Sequence, residues 1–436
     1  MALEIGKDWL FSSGFAQFCA RMECFLHLDP APQGSDCMKR EELDAILNGM
    51  LNSADDRASD FVFVVGKPPQ IEQDGQLNAL EMDGADSVLQ PAHIQQMADL
   101  LMQDNDRLRD DLATNGSCDG SYALETRARF RVNVYKQNGQ QAIVMRRLES
   151  KVPSLAELKL PPIFYEMIKE KTGIVFLTGG TGTGKTTTLA AMLNELNQTQ
   201  KIHIVTLEDP IEFLHAQNVA TFSQRELGKD FPNFAVGLRA ALRQAPKVIL
   251  VGEIRDRESM EIALTASETG HLVFSTLHTI NAGQTVHRIL GMFAKEEEKQ
   301  VRERLAETLR YVVSQRLVSK IGGGRLLVTE IMGSSLRTRE TLIYGEGENR
   351  TFLEIIEAGD INGWHSFDQS LIKAYEADAI TEETAIIYAT HKTKMRRDID
   401  MSKKLRSSRL EESSGLQMES SGPQIESHKP TTVTKG

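Results

Sequence analysis

Residues 179–186 form the segment of this sequence whose residue types and spacing are best suited to chemistry. They read Gly-Gly-Thr-Gly-Thr-Gly-Lys-Thr and match the phosphate-binding loop pattern, in which two glycines separated by four residues precede a lysine and a hydroxyl residue. Glycine lets backbone N–H groups turn inward around phosphates, Lys185 adds positive charge, and the Thr186 hydroxyl can ligate Mg²⁺. The residues predicted to contact the nucleotide are Gly179, Gly180, Thr181, Gly182, Thr183, Gly184, Lys185, Thr186 and Thr187.

The loop also has the neighbours that this pattern requires. A continuous apolar strand is predicted at Ile174–Thr178 before it, and a helix from Thr187 to Leu196 after it. A chance glycine-rich loop would lack this setting of strand, loop and helix. The segment therefore predicts a nucleotide site, with ATP and Mg²⁺ as the expected cofactors.

Acidic residues at the ends of two later strands could supply the groups that hydrolysis needs. Hydrolysis of a bound nucleotide requires acids that hold Mg²⁺ and a group that orients water. Glu208 and Glu212 follow the strand predicted at Ile202–Leu207 and could hold the metal, although a solvated acidic turn would read the same way. Glu253 follows Val248–Val251 and could orient the attacking water, or be an ordinary surface glutamate.

Two histidines bracket the strand predicted at Leu272–Ser275. His271 precedes this strand and His278 follows it, with Thr276 between them near its end. A single histidine is more often structural than catalytic. A pair of histidines beside a nucleotide site could sense the γ-phosphate.

An alternating stretch, Tyr122–Val134, predicts a half-buried strand. Its apolar residues occupy even positions, while Arg127, Arg129 and Arg131 occupy odd positions and form an outer face. The dipeptide Asn138-Gly139 then predicts a tight hairpin turn into a returning strand. The arginine face could reach towards a phosphate or simply be solvated.

The spacing of apolar residues changes along the chain and divides it into regions. Before residue 150 the pattern mixes helix and strand, whereas after residue 162 short continuous apolar strands alternate with helices and predict a largely parallel sheet covered on both faces. The C-terminal residues contain no aromatic side chain and are predicted to be disordered. The predicted regions are an extension at 1–38, a mixed domain at 39–150, a linker at 151–162, a parallel α/β domain at 163–400 and a tail at 401–436.

Composition restricts the class of protein. Charged residues make up 25% and hydrophobic residues 40% of the chain, as in soluble globular proteins. No apolar run approaches the roughly 20 residues that span a bilayer, and the N-terminal apolar stretch is interrupted by Arg21 and Glu23, unlike a signal peptide. We therefore expect a cytoplasmic protein. The net charge of −11 argues against broad nucleic-acid binding.

Four motifs in series resemble those of the type II secretion and type IV pilus ATPase family. They read GGTGTGKTTT, VTLEDPIEF, VILVGEIRD and TASETGHLVFSTLHT, and the resemblance covers about residues 39–395. It implies a smaller PAS-like α+β domain followed by a RecA-like P-loop ATPase domain, assembled as a ring-shaped homohexamer with nucleotide between the domains.

The resemblance also implies roles for individual residues. Lys185 and Thr186 would bind phosphate and Mg²⁺, and the segments at Arg129–Asn133 and Val144–Arg146 match those whose arginines reach the phosphates. The residues so implied are, for catalysis, Glu253, Glu208, Glu212, His271, His278, Arg131 and Arg146 and, for the metal, Thr186, Glu208 and Glu253.

Several features resemble the pilus-retraction (PilT-like) branch of the family. The N-terminal domain is short, Phe367–Leu371 matches a retraction segment, and the absence of cysteine after Cys118 argues against the tetracysteine module of assembly ATPases. This implies an ATPase at the inner face of the inner membrane that powers pilus retraction and twitching motility. Its expected partners are a platform protein in that membrane and a paralogous retraction ATPase.

Two segments depart from the family pattern and keep other functions open. Ser335–Gly347 preserves little of a helical retraction motif, and Arg243–Lys247 lacks the usual acids. They allow an accessory, PilU-like role as a regulatory nucleotide-binding partner, and an assembly ATPase is a further alternative. A RecA-like nucleic-acid translocase is a third possibility, which the acidic net charge disfavours.

Overall fold

A computed structural model of the chain describes residues 38–419, with side chains described up to residue 407. Except for Met38, the predicted extension at 1–38 lies outside the described residues. The short gaps within the described range are 55–57, 74–75, 81–87, 104, 126, 150 and 349.

The first part of the described chain forms an antiparallel sheet packed against helices. The six strands lie in the order β3-β2-β1-β6-β5-β4, and their apolar faces meet the helices in one core that includes the contacting rings of Phe61 and Phe130, 5.3 Å apart. The elements are α1 Arg40–Ser53, β1 Ala58–Phe63, β2 Gln70–Gln73, β3 Gln76–Ala79, α2 Pro91–Met102, α3 Asp106–Asn115, β4 Ser117–Leu124, β5 Ala128–Gln137 and β6 Gln140–Leu148.

The strand predicted at Tyr122–Val134 is wrong in one respect, because it is two strands. β4 and β5 pair as an antiparallel hairpin in which Leu124 lies opposite Ala128. Three residues, 125–127, separate the two strands, and residue 126 lies outside the described part of the chain. Because this loop is odd in length and the pair is in register, even-numbered residues stay on the buried face on both sides of it. The alternation therefore continued through a turn.

The predicted turn at Asn138-Gly139 is confirmed. Asn138 has φ 49° and Gly139 has φ 75°, the two left-handed positions of a two-residue hairpin turn. Gln137 and Gln140 pair across it and start the β5–β6 ladder. The turn fixes the register that sets Arg131 opposite Arg146.

The second part of the chain is a seven-stranded sheet in the order β13-β12-β7-β11-β10-β8-β9. All neighbouring pairs are parallel except β12 with β13. Every residue of β7, β10 and β11 is buried, which confirms a sheet covered on both faces. Its strands are β7 Gly173–Thr178, β8 His203–Glu208, β9 Thr221–Glu226, β10 Val248–Val251, β11 Leu272–Leu277, β12 Leu309–Ser319 and β13 Arg325–Gly333.

Helices cover this sheet and continue beyond it. Within the described ranges, no helix combines the length and the apolar character needed to cross a bilayer. The helices are α4 Ile163–Met167, α5 Lys185–Thr199, α6 Phe234–Ala241, α7 Arg257–Glu268, α8 Ala282–Leu290, α9 Glu298–Thr308, α10 Leu336–Tyr344, α11 Phe352–Glu357, α12 Phe367–Glu376, α13 Glu382–Tyr388 and α14 Lys392–Glu419.

The tail predicted to be disordered from residue 401 is helical up to Glu419. Met395 and Ile399 bury one side of α14, and ion pairs hold the next turns, with Lys403 at 2.6 Å from Glu382 and Arg406 at 2.9 Å from Asp378. The stretch is also rich in Lys, Arg, Leu and Glu, which favour helix over coil. Residues 420–436 lie outside the described part of the chain.

Replacing Gly139 tests the hairpin that carries the arginines. Gly139→Ala should lower the free energy of unfolding by about 1 kcal/mol, because a side chain at a left-handed φ collides with its own backbone. No neighbouring atom lies within 4 Å of the added Cβ, so the loss is conformational. Urea unfolding followed by circular dichroism measures it.

Gly283→Ala in α8 is the matched control. Its Cβ would make only ordinary contacts at 3.7 and 3.8 Å, so stability should stay equal or rise because alanine favours helix. An equal loss in both variants would contradict the turn argument.

Candidate functional site

The phosphate-binding loop joins the carboxyl end of β7 to the amino end of α5. Gly179, Gly182 and Gly184 have φ of 142°, 76° and 86°, which side chains disfavour. A Cβ on Gly179 would lie 2.6 Å from Thr183 Oγ1 and 2.7 Å from the Gln315 carbonyl oxygen. The glycines therefore let the loop fold tightly, with the N–H groups of the first turn of α5 available to an anion.

Lys185 lies inside this loop. Its Nζ donates hydrogen bonds to the carbonyl oxygens of Gly179 and Gly180 at 2.9 and 2.8 Å. Burial lowers the pKa of Lys185, and the carboxylates of Glu212 and Glu253 act against that fall. Glu212 and Glu253 therefore belong to the electrostatic surroundings of this ammonium group.

Glu253 and His278 meet at the same edge of the sheet. Glu253 follows β10, and its Oε1 lies 2.7 Å from Arg255 Nη2 while its Oε2 lies 3.7 Å from His278 Nε2. The Thr276 hydroxyl donates to the Gly252 carbonyl oxygen at 2.6 Å and ties the end of β11 to the end of β10. A carboxylate with a partly exposed side chain beside the phosphate-binding loop can accept a proton from water or orient it.

Glu208 occupies a different environment from Glu253. It is buried, and its Oε1 accepts hydrogen bonds from Thr206 Oγ1 at 2.6 Å and from Gln224 Nε2 at 3.2 Å. Burial raises the pKa of Glu208 to about 7. The Glu208 carboxylate is already hydrogen-bonded to side chains of β8 and β9, so we assign it a structural role beside the site.

The residues present fit Mg²⁺ in part. Mg²⁺ in nucleotide sites takes phosphate oxygens, water and one or two protein ligands. The Thr186 hydroxyl in the first turn of α5 and the Glu253 carboxylate near Lys185 suit this set. Glu208, predicted as a third ligand, fits less well because its Oε1 already accepts two hydrogen bonds.

Sequence reasoning missed the strand that anchors the acidic loop, residues 209–215. Gln224 donates to the Phe213 carbonyl oxygen at 2.8 Å and accepts from the His215 N–H at 2.8 Å. Glu226, two residues on, accepts from the Ile211 N–H at 3.3 Å. The sequence gives only a weak strand signal here, because β9 is an edge strand and most of its residues are polar.

The predicted histidine pair is not brought together within this chain. His271 precedes β11, and its backbone carbonyl oxygen accepts a hydrogen bond from the Gly173 N–H at the start of β7. The phosphate-binding loop follows the other end of β7, about 20 Å away at about 3.3 Å per residue. His271 Nδ1 instead lies 3.0 Å from the Ala266 carbonyl oxygen at the end of α7.

The four arginines that the sequence placed near a phosphate differ in position. Arg127 turns back to α1, where it donates to Asn48 and Asn52. Arg129 is largely buried and lies 3.8 Å from Glu226, so this part of the face is not solvated.

Of the two predicted arginines, Arg131 is the one whose charge acts on the acidic loop. Burial raises the pKa of Asp209, and the charges of Arg107 and Arg131 act against that rise. Arg146 lies beside Arg131 across the β5–β6 pair, but its Nε is bound to Asp60 at 2.8 Å. Arg131 also has an acidic partner, since its Nη2 lies 3.7 Å from Asp119 Oδ1, so what distinguishes it from Arg146 is its electrostatic effect on Asp209.

Comparison with known proteins identifies the family. A family model described as type II/IV secretion system protein matches residues 72–331, which is more than half of the chain. The chain therefore belongs to this family.

Relatives in the family include two pilus ATPases of Pseudomonas aeruginosa. The type IV pilus retraction ATPase PilT is 40% identical over 334 residues, covering 76% of this chain and 94% of PilT. The type IV pilus ATPase PilU is 36% identical over 332 residues, covering 76% of this chain and 85% of PilU.

A solved structure agrees with the fold. The crystal structure of the pilus retraction motor PilT with bound ADP has a TM-score of 0.71 and 37% identity, covering 80% of this chain and 98% of that one. This confirms the predicted fold class, a RecA-like ATPase domain preceded by a smaller α+β domain, and the resemblance to retraction ATPases. The PAS-like description of the smaller domain stays a prediction.

His215 ends the acidic loop, and its burial predicts that the free energy of unfolding falls in acid. Its ring stacks on Phe222 with centroids 4.3 Å apart, and burial lowers its pKa to about 4 from 6.5. The unfolded chain therefore binds a proton that the folded chain does not, and stability falls by at most about 3 kcal/mol as the pH drops from 6.5 to 4.

His215→Phe keeps a stacked ring and removes this titration. The melting temperature of this variant should fall less than that of the wild type between pH 7 and pH 4.5. His287→Gln, whose ring is 68% exposed, is the control and should follow the wild type. Parallel curves for His215→Phe and the wild type would show that His215 does not bind the proton.

Proposed function

We propose that this chain is a Mg²⁺-dependent ATPase that works as a homohexamer and powers retraction of type IV pili in twitching motility. The observation that carries the proposal is the placement of Glu253 and His278 at the edge of the sheet where Lys185 sits in the phosphate-binding loop. The match to 94% of the length of PilT supports it.

The chemistry assigned to this edge is attack of water on the γ-phosphoryl group of ATP. Backbone N–H groups at the start of α5 and the Lys185 ammonium stabilise the charge that develops on the phosphoryl oxygens. Glu253 orients the water and takes its proton, and His278 Nε2, 3.7 Å from its carboxylate, steadies it. Bound Mg²⁺, held by Thr186 and the phosphates, would neutralise the leaving diphosphate.

Arg131 extends the site from the N-terminal domain. Its charge acts on Asp209 in the acidic loop, and hydrolysis removes an anionic group that an arginine would bind. Loss of that contact would change the relative position of the two domains, which is how hydrolysis could drive rotation within a ring.

The partners and location proposed for this ring follow from its expected task. A retraction motor acts at the inner face of the inner membrane, against a platform protein that holds the pilus base, and a paralogous retraction ATPase is a further expected partner. Nucleic acid is not expected, given the net charge of −11.

The accessory, PilU-like function is the second candidate. Two segments that depart from the family pattern favour it, and they lie in different parts of the fold. Arg243–Lys247 precedes β10, with the Lys247 N–H bonded to His203 at the start of β8. This is the amino edge of the sheet, opposite the phosphate-binding loop, so the altered segment leaves the catalytic edge of this chain intact. Ser335–Gly347 contains α10, whose Leu336 and Tyr344 are 79% and 73% exposed. The residues of this segment that differ from the family pattern therefore alter an exposed surface of the chain.

Mg²⁺-dependent ATP turnover on size-fractionated protein tests the proposal. Glu253→Gln should keep ATP binding and lose at least about 100-fold in kcat, because the amide cannot accept the proton of water. Lys185→Ala should lose nucleotide binding as well. Glu258→Gln, an exposed acid paired with Arg239, is the matched control and should turn over like the wild type.

Three outcomes would contradict the proposal. Turnover unchanged in Glu253→Gln would remove the carboxylate from its assigned role. A wild-type hexamer that binds ATP without hydrolysing it would replace the motor function by the regulatory one. Turnover that elutes with monomer alone would contradict the homohexamer.

A further inference from the structure

The end of β9 carries a buried carboxylate that the proposed hydrolysis does not use. Glu226 is only 5% exposed, and it is the last residue of the edge strand of the ATPase sheet. A buried carboxylate needs partners that replace the water it has lost. Glu226 has such partners in three separate parts of the chain.

Two partners come from the N-terminal domain. The Ser121 hydroxyl on β4 donates a hydrogen bond to Glu226 Oε1 at 2.7 Å. Arg129 Nη2 on β5 lies 3.8 Å from Glu226 Oε2. Lys229 closes the group, with Nζ 2.7 Å from Glu226 Oε1 and 2.6 Å from Ser121 Oγ. We call Ser121, Arg129, Glu226 and Lys229 the junction cluster.

The remaining partner lies in the acidic loop. The Ile211 N–H donates to Glu226 Oε2 at 3.3 Å, between Glu208 and Glu212 in the sequence. One carboxylate thus contacts both the arginine-bearing sheet and the loop that sets the acids beside Lys185. A shift of β4 and β5 against the ATPase domain would disturb the carboxylate whose Oε2 accepts the hydrogen bond from Ile211.

The turn after Glu226 is also shaped for close approach of the two domains. Asn105 Nδ2 donates to the Gly228 carbonyl oxygen at 3.4 Å. A Cβ on Gly228 would lie 2.3 Å from Arg107 Nε, and Gly228 has φ 80°. The left-handed φ favours glycine here, and the Arg107 guanidinium packs against its Cα. The N-terminal domain therefore contacts the backbone of this turn as well as the junction cluster.

We infer that Glu226 is a positioning residue that couples the N-terminal domain to the acidic loop, so that the loop holds its carboxylates correctly only while the junction cluster is closed. The inference rests on the proposed function, since the loop borders the edge where hydrolysis is assigned. Glu226 touches no reacting atom. Its effect on turnover passes through Ile211 and the position of Arg129.

Kinetics of three variants in the full chain test this role. Glu226→Ala should lower kcat at least about tenfold, and Ser121→Ala about threefold, because small displacements of catalytic groups reduce the rate strongly. KM for ATP should change less than about twofold, since the phosphate-binding loop is untouched. Glu226→Gln keeps one acceptor oxygen, which can serve Ile211 while its amide group donates to Ser121 Oγ, and should recover part of kcat.

Ser117→Ala is the matched control. Ser117 lies on the same face of β4 as Ser121 and is likewise partly buried, so loss of its hydroxyl should leave kcat and KM at wild-type values. If Glu226→Ala does not fold, Ser121→Ala and Glu226→Gln still decide the matter. A purely structural contact would lower the melting temperature and leave kcat of the folded enzyme unchanged.

Amide hydrogen exchange separates this inference from the proposed function. Exchange over residues 209–213, read by mass spectrometry without nucleotide, should accelerate in Glu226→Ala and Ser121→Ala but not in Ser117→Ala. Wild-type kcat with unchanged exchange in both variants would overturn the coupling. A wild-type chain that does not hydrolyse ATP would defeat the proposed function, and exchange would still decide whether Glu226 ties the loop to β4.

Discussion

The shared direction of four parallel strands is the constraint on which the rest of this structure depends. β7, β8, β10 and β11 are hydrogen-bonded in register and end at one edge. Groups far apart in sequence, such as Lys185, Glu253 and His278, therefore meet there. A shift of one residue in these buried strands would exchange the side chains that pack into the two cores covering the sheet, and neither core would accept the other's side chains without loss of packing. Packing thus fixes the positions of charged groups.

The same edge concentrates charges that are partly or fully removed from water. Each then needs a neighbour of opposite charge or a hydrogen bond, since a buried ion without one is unstable. Burial accordingly shifts the pKa of Lys185 down and that of Glu208 up, while nearby groups act against both shifts. Arg129 and Glu226 extend this pattern across the domain boundary. The two domains therefore share one electrostatic environment, and a change in either is felt by the other.

Much of the catalytic edge could be predicted from the sequence, because its signals are local. The phosphate-binding loop needs glycines and a lysine at fixed spacing, and buried parallel strands are continuous apolar runs. β9 was missed because an edge strand needs no such run. His271 shows another limit, since adjacency to a strand does not say at which end of the sheet a residue lies. The C-terminal tail was judged by composition alone, while ion pairs such as Lys403 with Glu382 hold it as helix.

The alternation of side chains along β9 limits how this chain can evolve. Gln224 and Glu226 face the acidic loop because they lie two residues apart on a strand. Insertion or deletion of a single residue between Thr221 and Glu226 would turn one or both to the opposite face, whereas substitution of the intervening Arg225 would leave them in place. Selection on this strand therefore acts on its length more strictly than on its composition. We therefore expect relatives that anchor the acidic loop in the same way to keep the length of this strand even where its residues differ.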